Sequence, residues 1–373
     1  MSTTSIIMGI SRIPWAIVLN TSSNKNNSQV SNQFCSTIYN PTSFQYVLDL
    51  VVEPVVCIYS IVGNLVTTIA LLSPEVRCKP ETCLLICLAA SDLILSMSIS
   101  YITIRYLSIY MDSEVLAWIR STVESYMYYL AHSGKMAGDY FTVGIALEKV
   151  CRWKRQFAFT AKTTSYTAAG IIVLSLLLKL PRLFEFKTVS PPDCSGHLKY
   201  QTIYAEFATS PWYGFGYCVW LGLLADVAIP YCALVILNFL LIKQALSPSN
   251  GGGEEVTLDS NRCDRHFKET NEMLLNAIIL ACLFLACALP DFILAVLEAC
   301  NSSMLLNNLD IYGNLSDVVS FLVVLNSAIN FTVNYAFNAS LRNQIRRLRL
   351  NWTRNCDSNR FQVVEANELL NFD

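Results

Sequence analysis

Three places in this sequence put ionisable or amide side chains where water should be scarce. Asp92 interrupts the apolar string Leu88-Ala-Ala-Ser-Asp-Leu93, and Lys135 and Asp139 interrupt a second apolar stretch at a spacing of four. Asn326, Asn330 and Asn334 recur at the same spacing inside Val318 to Leu341, a run with no charged residue. That spacing places side chains on one helix face. An acid in a low-dielectric interior needs a cation, a proton or several donors, and lone charges inside a membrane are costly enough to demand partners. Lys135 and Asp139 are therefore predicted to pair, directly or through a polar network, and the asparagine face to look into protein. Such groups bind and switch. They do not form a catalytic set: Asp92 and Asp139 differ in depth, and no Gly-x-Ser-x-Gly, His-Glu-x-x-His or nucleotide loop occurs. With three histidines and no Cys-x-x-Cys pair, no metal site and no cofactor is expected, and the chain is read as a non-enzyme.

The elements that must hold these residues are apolar runs. Of 373 residues 53% are hydrophobic and 14% charged, with a mean hydropathy of +0.42; soluble domains carry about 25% charged residues. The runs are Tyr46–Leu72, Thr82–Tyr106, Leu116–Val150, Thr164–Leu183, Trp212–Ile242, Asn271–Leu297 and one beginning near Asn314. Each suits a helix crossing a bilayer, which takes about 20 residues, and the third is the least hydrophobic. The predicted fold is an all-α membrane protein, a seven-transmembrane helix bundle over residues 46–338. A short amphipathic cytoplasmic helix follows over 339–352, where Arg342, Arg346, Arg347 and Arg349 interleave with Leu341, Ile345, Leu348 and Leu350. Residues 1–45, rich in Ser and Asn, read as a disordered extracellular N-terminus, and 353–373 as a polar cytoplasmic tail. Residues 186–211 read as a loop, and Ser247 to Phe267 as a flexible linker.

Orientation follows from the basic residues. With the N-terminus outside, Arg77, Lys79, Lys149, Arg152, Lys154, Arg155, Lys162, Lys243 and the tail arginines all fall on the cytoplasmic side, as the positive-inside rule requires. The glycosylation sequons at Asn20, Asn26, Asn301 and Asn314 then fall outside. So do Cys35, Cys194, Cys300 and Cys218, candidates for a bridge whose three possible connectivities stay open. Cys356 follows the basic helix closely enough for lipidation. The lipid bilayer is one expected partner. Nucleic acid is not, since the formal net charge is −2 and no long basic run lies outside the cytoplasmic segments.

Gly63-Asn64, Leu88-Ala-Ala-Ser-Asp92, Pro230, the trio Phe284, Cys287 and Pro290, and Asn326-Ser-Ala-Ile-Asn330 fall in the first, second, fifth, sixth and seventh runs. Together they resemble a rhodopsin-like (class A) G-protein-coupled receptor over about residues 45–350. Pro181-Arg-Leu-Phe-Glu185, Ile229-Pro-Tyr231 with Leu237-Asn-Phe-Leu-Leu-Ile242, and Leu322 to Phe331 look like invertebrate neuropeptide receptors of the FMRFamide-receptor-like group. The resemblance implies a polar switch of Asn64, Asp92, Asn326 and Asn330 that can hold a sodium ion. It also implies a motion connector of Pro230, Phe284 and Pro290, and a G-protein-facing set of Glu148, Lys149 and Arg152. The chain departs from the family pattern at five positions. Lys149 follows Glu148 where arginine is usual, Ala288 replaces tryptophan, Phe331 replaces proline, Asn334 replaces tyrosine, and Glu124 replaces a cysteine. A divergent receptor of the plasma membrane, with altered coupling to its heterotrimeric G protein, is the expectation.

Acids and aromatics crowd the expected extracellular mouth, among them Glu53, Glu124, Asp291, Glu298, Tyr110, Trp212 and Tyr213. Such a funnel suits a cationic, amidated extracellular peptide. Asp291 and Glu298, seven apart on one helix face, are the expected anchors, with Glu124 and Lys135 as further ligand contacts. The alternatives are a seven-helix transporter or channel, which should show internal repeats and paired broken helices, and a divergent chemosensory receptor.

Overall fold

The computed structural model describes residues 43–73, 80–154, 160–192, 194–246, 260–300 and 309–350. The candidate sites Asn20, Asn26, Cys35, Asn301 and Cys356 lie outside the described residues. Seven long helices are numbered here in chain order. They are α1 (Ser43–Leu71), α2 (Pro80–Tyr110, broken for one residue at Ser100), α3 (Glu114–Lys154) and α4 (Ala161–Phe184, its last turn 3-10). Then come α5 (Trp212–Leu246), α6 (Ser260–Cys300) and α7 (Leu309–Phe337). A shorter helix, α8, covers 339–350.

Six of these, all but α3 and α8, contain a stretch long and apolar enough to cross a membrane. Their outward faces carry unburied Val55, Ile58 and Val62 on α1 and Leu174 and Leu177 on α4, as a lipid-facing surface requires. The chain is thus an all-α, multi-pass membrane protein with six candidate spans among the described residues. By length α3 would also cross, but it carries Glu124, Lys135, Asp139, Glu148 and Lys149. These face inward rather than outward: Glu124, Asp139 and Glu148 are buried, alongside the apolar Met136, Phe141 and Ile145.

α3 is the axis of the packing, touching α2, α4, α5 and α6, while α1 and α7 close the other side against α2 and α6. Between helices in a bilayer there is little hydrophobic driving force, so close backbone approach and polar ties matter more. Gly134 supplies the approach: a Cβ there would lie 3.1 Å from Ser91 O and 3.2 Å from Leu95 N of α2. Gly138, one turn on, faces the Asp92 carboxylate at 3.7 Å. This Gly-x-x-x-Gly pair brings α2 against α3. In α5, wide π-helical turns over Trp212–Leu221 and Leu223–Ala228 precede Pro230, which has no N–H to give. The Ala225 carbonyl, five residues before Pro230, instead accepts the Tyr140 hydroxyl of α3 at 3.0 Å.

Residues 186–211, read from sequence as a loop, contain a β-hairpin. β1 (Phe186–Val189) pairs antiparallel with β2 (Gln201–Tyr204), with Phe186 opposite Tyr204. The hairpin lies over one end of α3. Thr188 Oγ1 donates to Ser121 O at 2.9 Å, Arg120 donates to Tyr200 O at 2.8 Å, and Lys199 pairs with Glu114 at 2.7 Å. Beneath it, Pro181-Arg-Leu-Phe-Glu185 closes on itself: buried Arg182 pairs with Glu185 at 3.0 Å and stacks against Tyr128 and Tyr217. At its tip Gly196 has φ 59°, and a Cβ there would fall 2.2 Å from Asp112 Oδ1, which accepts the His197 N–H at 2.9 Å.

Glycine to alanine in a helix ordinarily stabilises by about 0.5–1 kcal/mol. Gly170→Ala on α4, where nothing lies within 4 Å, should raise the melting temperature of purified protein, and Gly134→Ala should lower it. Hydrogen bonds from His197 hold the Asp112 carboxyl below its usual range. A depressed carboxyl gives its stabilisation above the unfolded value of about 3.9 and loses it as pH falls through the lower folded value. Hydrogen exchange at the hairpin tip, once intrinsic rates are removed, should therefore rise as the pH falls below about 4.

Candidate functional site

Between α3, α5, α6 and α7 lies a small cavity of about 20 Å3 whose wall includes Lys135, Asp139, Asp226, Phe284, Ala288, Asp291 and Asn326. Lys135 Nζ stands 3.1 Å from Asp139 Oδ2, its neighbour one turn along α3, and 3.3 Å from Asp291 Oδ2 on α6. Asp226 of α5 is held by Lys179 of α4 at 2.6 Å. All five side chains are nearly sealed from solvent. The pairing of Lys135 with Asp139 follows from their spacing. The second carboxylate does not, since nothing in the sequence ties Asp291 to α3.

The second centre is Asp92. It is buried, and its Oδ2 accepts from Asn330 Nδ2 of α7 at 2.8 Å. The other expected members are arranged differently. Asn64 donates to the Ser60 carbonyl and hydroxyl and, at 3.4 Å, to Ser327 O, while Asn326 lines the cavity. Between Asn64 and Asp92 stands a knot of hydroxyls. Ser60 Oγ lies 2.8 Å from Ser327 Oγ and 2.7 Å from Ser96 Oγ, and Ser327 Oγ reaches Asp92 O at 3.4 Å. Sequence reasoning missed these serines. Serine is too common in membrane helices to mark a site, and only its placement beside Asn64 and Asp92 could have drawn notice.

The asparagine face divides its work. Asn326 serves the cavity and Asn330 serves Asp92, while Asn334 Oδ1 accepts from Asn276 Nδ2 of α6 at 3.1 Å. At the same end Lys149 and Arg152 both close on Glu81 of α2 as well as on Glu148. The candidate G-protein-facing residues are thus gathered by a carboxylate the sequence did not single out. Of the connector residues, Phe284 is buried among Val150, Leu237 and Ala281 and also lines the cavity, Pro230 is buried in α5, and Pro290 lies within α6.

Other expected residues stand elsewhere. Glu298 and Glu124 do not line this cavity: Glu298 accepts from Tyr312 at 2.8 Å, and Glu124 from Tyr101 at 3.4 Å. Both are buried with partners, not open in a solvated funnel. Cys194 is in a disulfide, but Cys218 and Cys300 are free thiols. Cys218 is packed among Tyr213, Tyr217 and Ala208, too enclosed to meet a loop cysteine. Asn314 sits inside α7, half-buried, with its side-chain oxygen shut off from solvent and unpartnered. A glycan acceptor needs a surface site, so this sequon is a poor one.

No family model matches the chain, and no curated protein does. What the site can do is set by its own geometry.

Removing one partner from a buried ion pair costs about 3–5 kcal/mol, because the remaining charge is stranded. Lys135→Met should therefore sharply reduce the yield of folded protein. Lys135→Met/Asp139→Leu should recover only part of it, since Asp291 stays charged, and adding Asp291→Leu should recover most. Size-exclusion profiles of fluorescently tagged variants would rank the three.

Proposed function

We propose that the chain is a seven-span receptor of the plasma membrane, with α3 as the seventh crossing, the N-terminus outside and α8 lying along the cytoplasmic leaflet. On this reading it is a divergent relative of the rhodopsin-like receptors, activated by an extracellular cationic peptide and acting on a heterotrimeric G protein. One observation carries the proposal. The ion-paired cavity and the buried Asp92–Asn330 bond share α7, with Asn326 on the cavity wall one turn from Asn330. A ligand that changes the cavity can thereby change the register of α7 against α2. A ligand shifts such an equilibrium only by its differential affinity for the two arrangements. The network of Lys149, Arg152, Glu148 and Glu81 and the Asn276–Asn334 bond would be the contacts that rearrange at the far end. The polarity of α3 is compatible with a crossing because its charges are paired inside the bundle. A transporter is the weaker reading, since no internal repeat is apparent in the sequence.

Cells expressing the chain should give a second-messenger response to one or more cationic amidated peptides. At matched surface amounts, Asp92→Asn should abolish that response. Lys149→Ala should weaken it by at least about tenfold, the scale of one lost charge-assisted bond of roughly 1.5–3 kcal/mol. A response that survives both substitutions unchanged would count against a receptor built this way.

A further inference from the structure

We infer that Lys135 is the built-in occupant of a site for an ammonium or guanidinium group carried by the ligand, and that binding consists of replacing Lys135 on Asp291. The inference deepens the receptor reading and rests on it for the ligand's role as a signal; the binding event itself is tested without signalling.

The size of the space comes first. The cavity has a volume of about 20 Å3, room for about one water molecule. A cationic side chain enters it only where the Lys135 side chain gives way, which is why binding takes the form of a replacement. Charge decides the class. Asp139, Asp226 and Asp291 stand on the wall; Lys135 stands there with them, and Lys179 holds Asp226. The wall itself carries three carboxylates and one ammonium, so it attracts an entering cation, whereas an anion would have to hold Lys135 against three carboxylates. Phe284 adds an aromatic surface of the kind that attracts cations, and Ala288 leaves the space open where a larger side chain would fill it.

The spacing around Lys135 makes the exchange feasible. Its ammonium is shared between Asp139 on its own helix, at 3.1 Å, and Asp291 on α6, at 3.3 Å. When a ligand cation takes Asp291, Lys135 keeps Asp139, so no charge is stranded in the interior. The tie from α3 to α6 is exchanged for a tie from ligand to α6. Lys135 thus holds the two helices together until a stronger or better-placed cation arrives.

The test is a thermal titration of the purified full-length chain in lipid nanodiscs with n-butylammonium, ethylguanidinium and neutral n-butanol. Lys135→Ala should melt several degrees below the unaltered chain. Either cation should restore it saturably, n-butanol should not, and Lys135→Ala/Asp291→Asn should lose the restoration. Equal restoration by n-butanol would reduce the effect to cavity filling and overturn the inference, as would a folded Lys135→Ala chain indifferent to both cations. Should Lys135→Ala not fold, the same titration applies to the unaltered chain. There the inference requires a saturable rise with ethylguanidinium that Asp291→Asn cancels, and its absence overturns it. Restoration by cations in a chain that never signals would sink the receptor reading alone. Signalling without restoration would sink only the role given to Lys135.

Discussion

An ammonium group moved from water into a dry helical bundle loses several kcal/mol of hydration even after relaxation. Lys135 recovers this from two carboxylates on two different helices, and the arrangement of the bundle follows from that need. Asp139 alone would satisfy Lys135 within α3 and would leave α6 unconstrained. Because Asp291 also holds the ammonium, α6 is tied to α3 at that level, and the cavity between them takes its charged wall. The same constraint recurs elsewhere. Lys179 binds Asp226 across α4 and α5, and Lys149 binds Glu81 across α3 and α2. Where hydrophobic association contributes little, ionic ties of this kind fix which helices are neighbours.

The polar groups of the interior form separate stations, not one cluster. Charged pairs line the cavity, a single carboxylate–amide bond joins α2 to α7 beside a knot of serine hydroxyls, and amide–amide contact joins α6 to α7 beyond that. A second set of ion pairs, Lys149 and Arg152 with Glu81 and Glu148, stands at that far end. Gly134 and Gly138 let α2 lie close against α3, with the Asp92 carboxylate beside Gly138.

Much of the fold was legible because apolar length is a strong signal. All seven runs appear as helices, most with ends shifted by a few residues, but α6 begins at Ser260, well before the run at Asn271 and inside the stretch read as a linker. The hairpin over Phe186–Tyr204 was not legible, since two four-residue strands held by contacts to α3 leave no periodicity to read. In the site, i to i+4 logic reached the Lys135–Asp139 pair and the inward asparagine face, both of which are local properties of one helix. Asp291 as the second partner, Glu81 as the gathering carboxylate and the Ser60–Ser96–Ser327 knot all depend on which helices meet. That information is spread over the packing of the whole chain and has no local trace.

The junction of α7 and α8 is joined more tightly than a simple bend. Asn338 breaks the helix, accepts from Leu341 N at 3.0 Å through its side chain, and still donates its own N–H to Asn334 O at 2.9 Å. The Arg342 guanidinium folds back onto the exposed carbonyls of Tyr335 and Ala336. The last turn of one rod is thus clamped by the first turn of the next, and the two behave as a rigid elbow. Any rotation of α7 about its long axis would sweep the arginine-bearing arm sideways, converting a small twist at the centre into a lateral displacement at the end of the bundle.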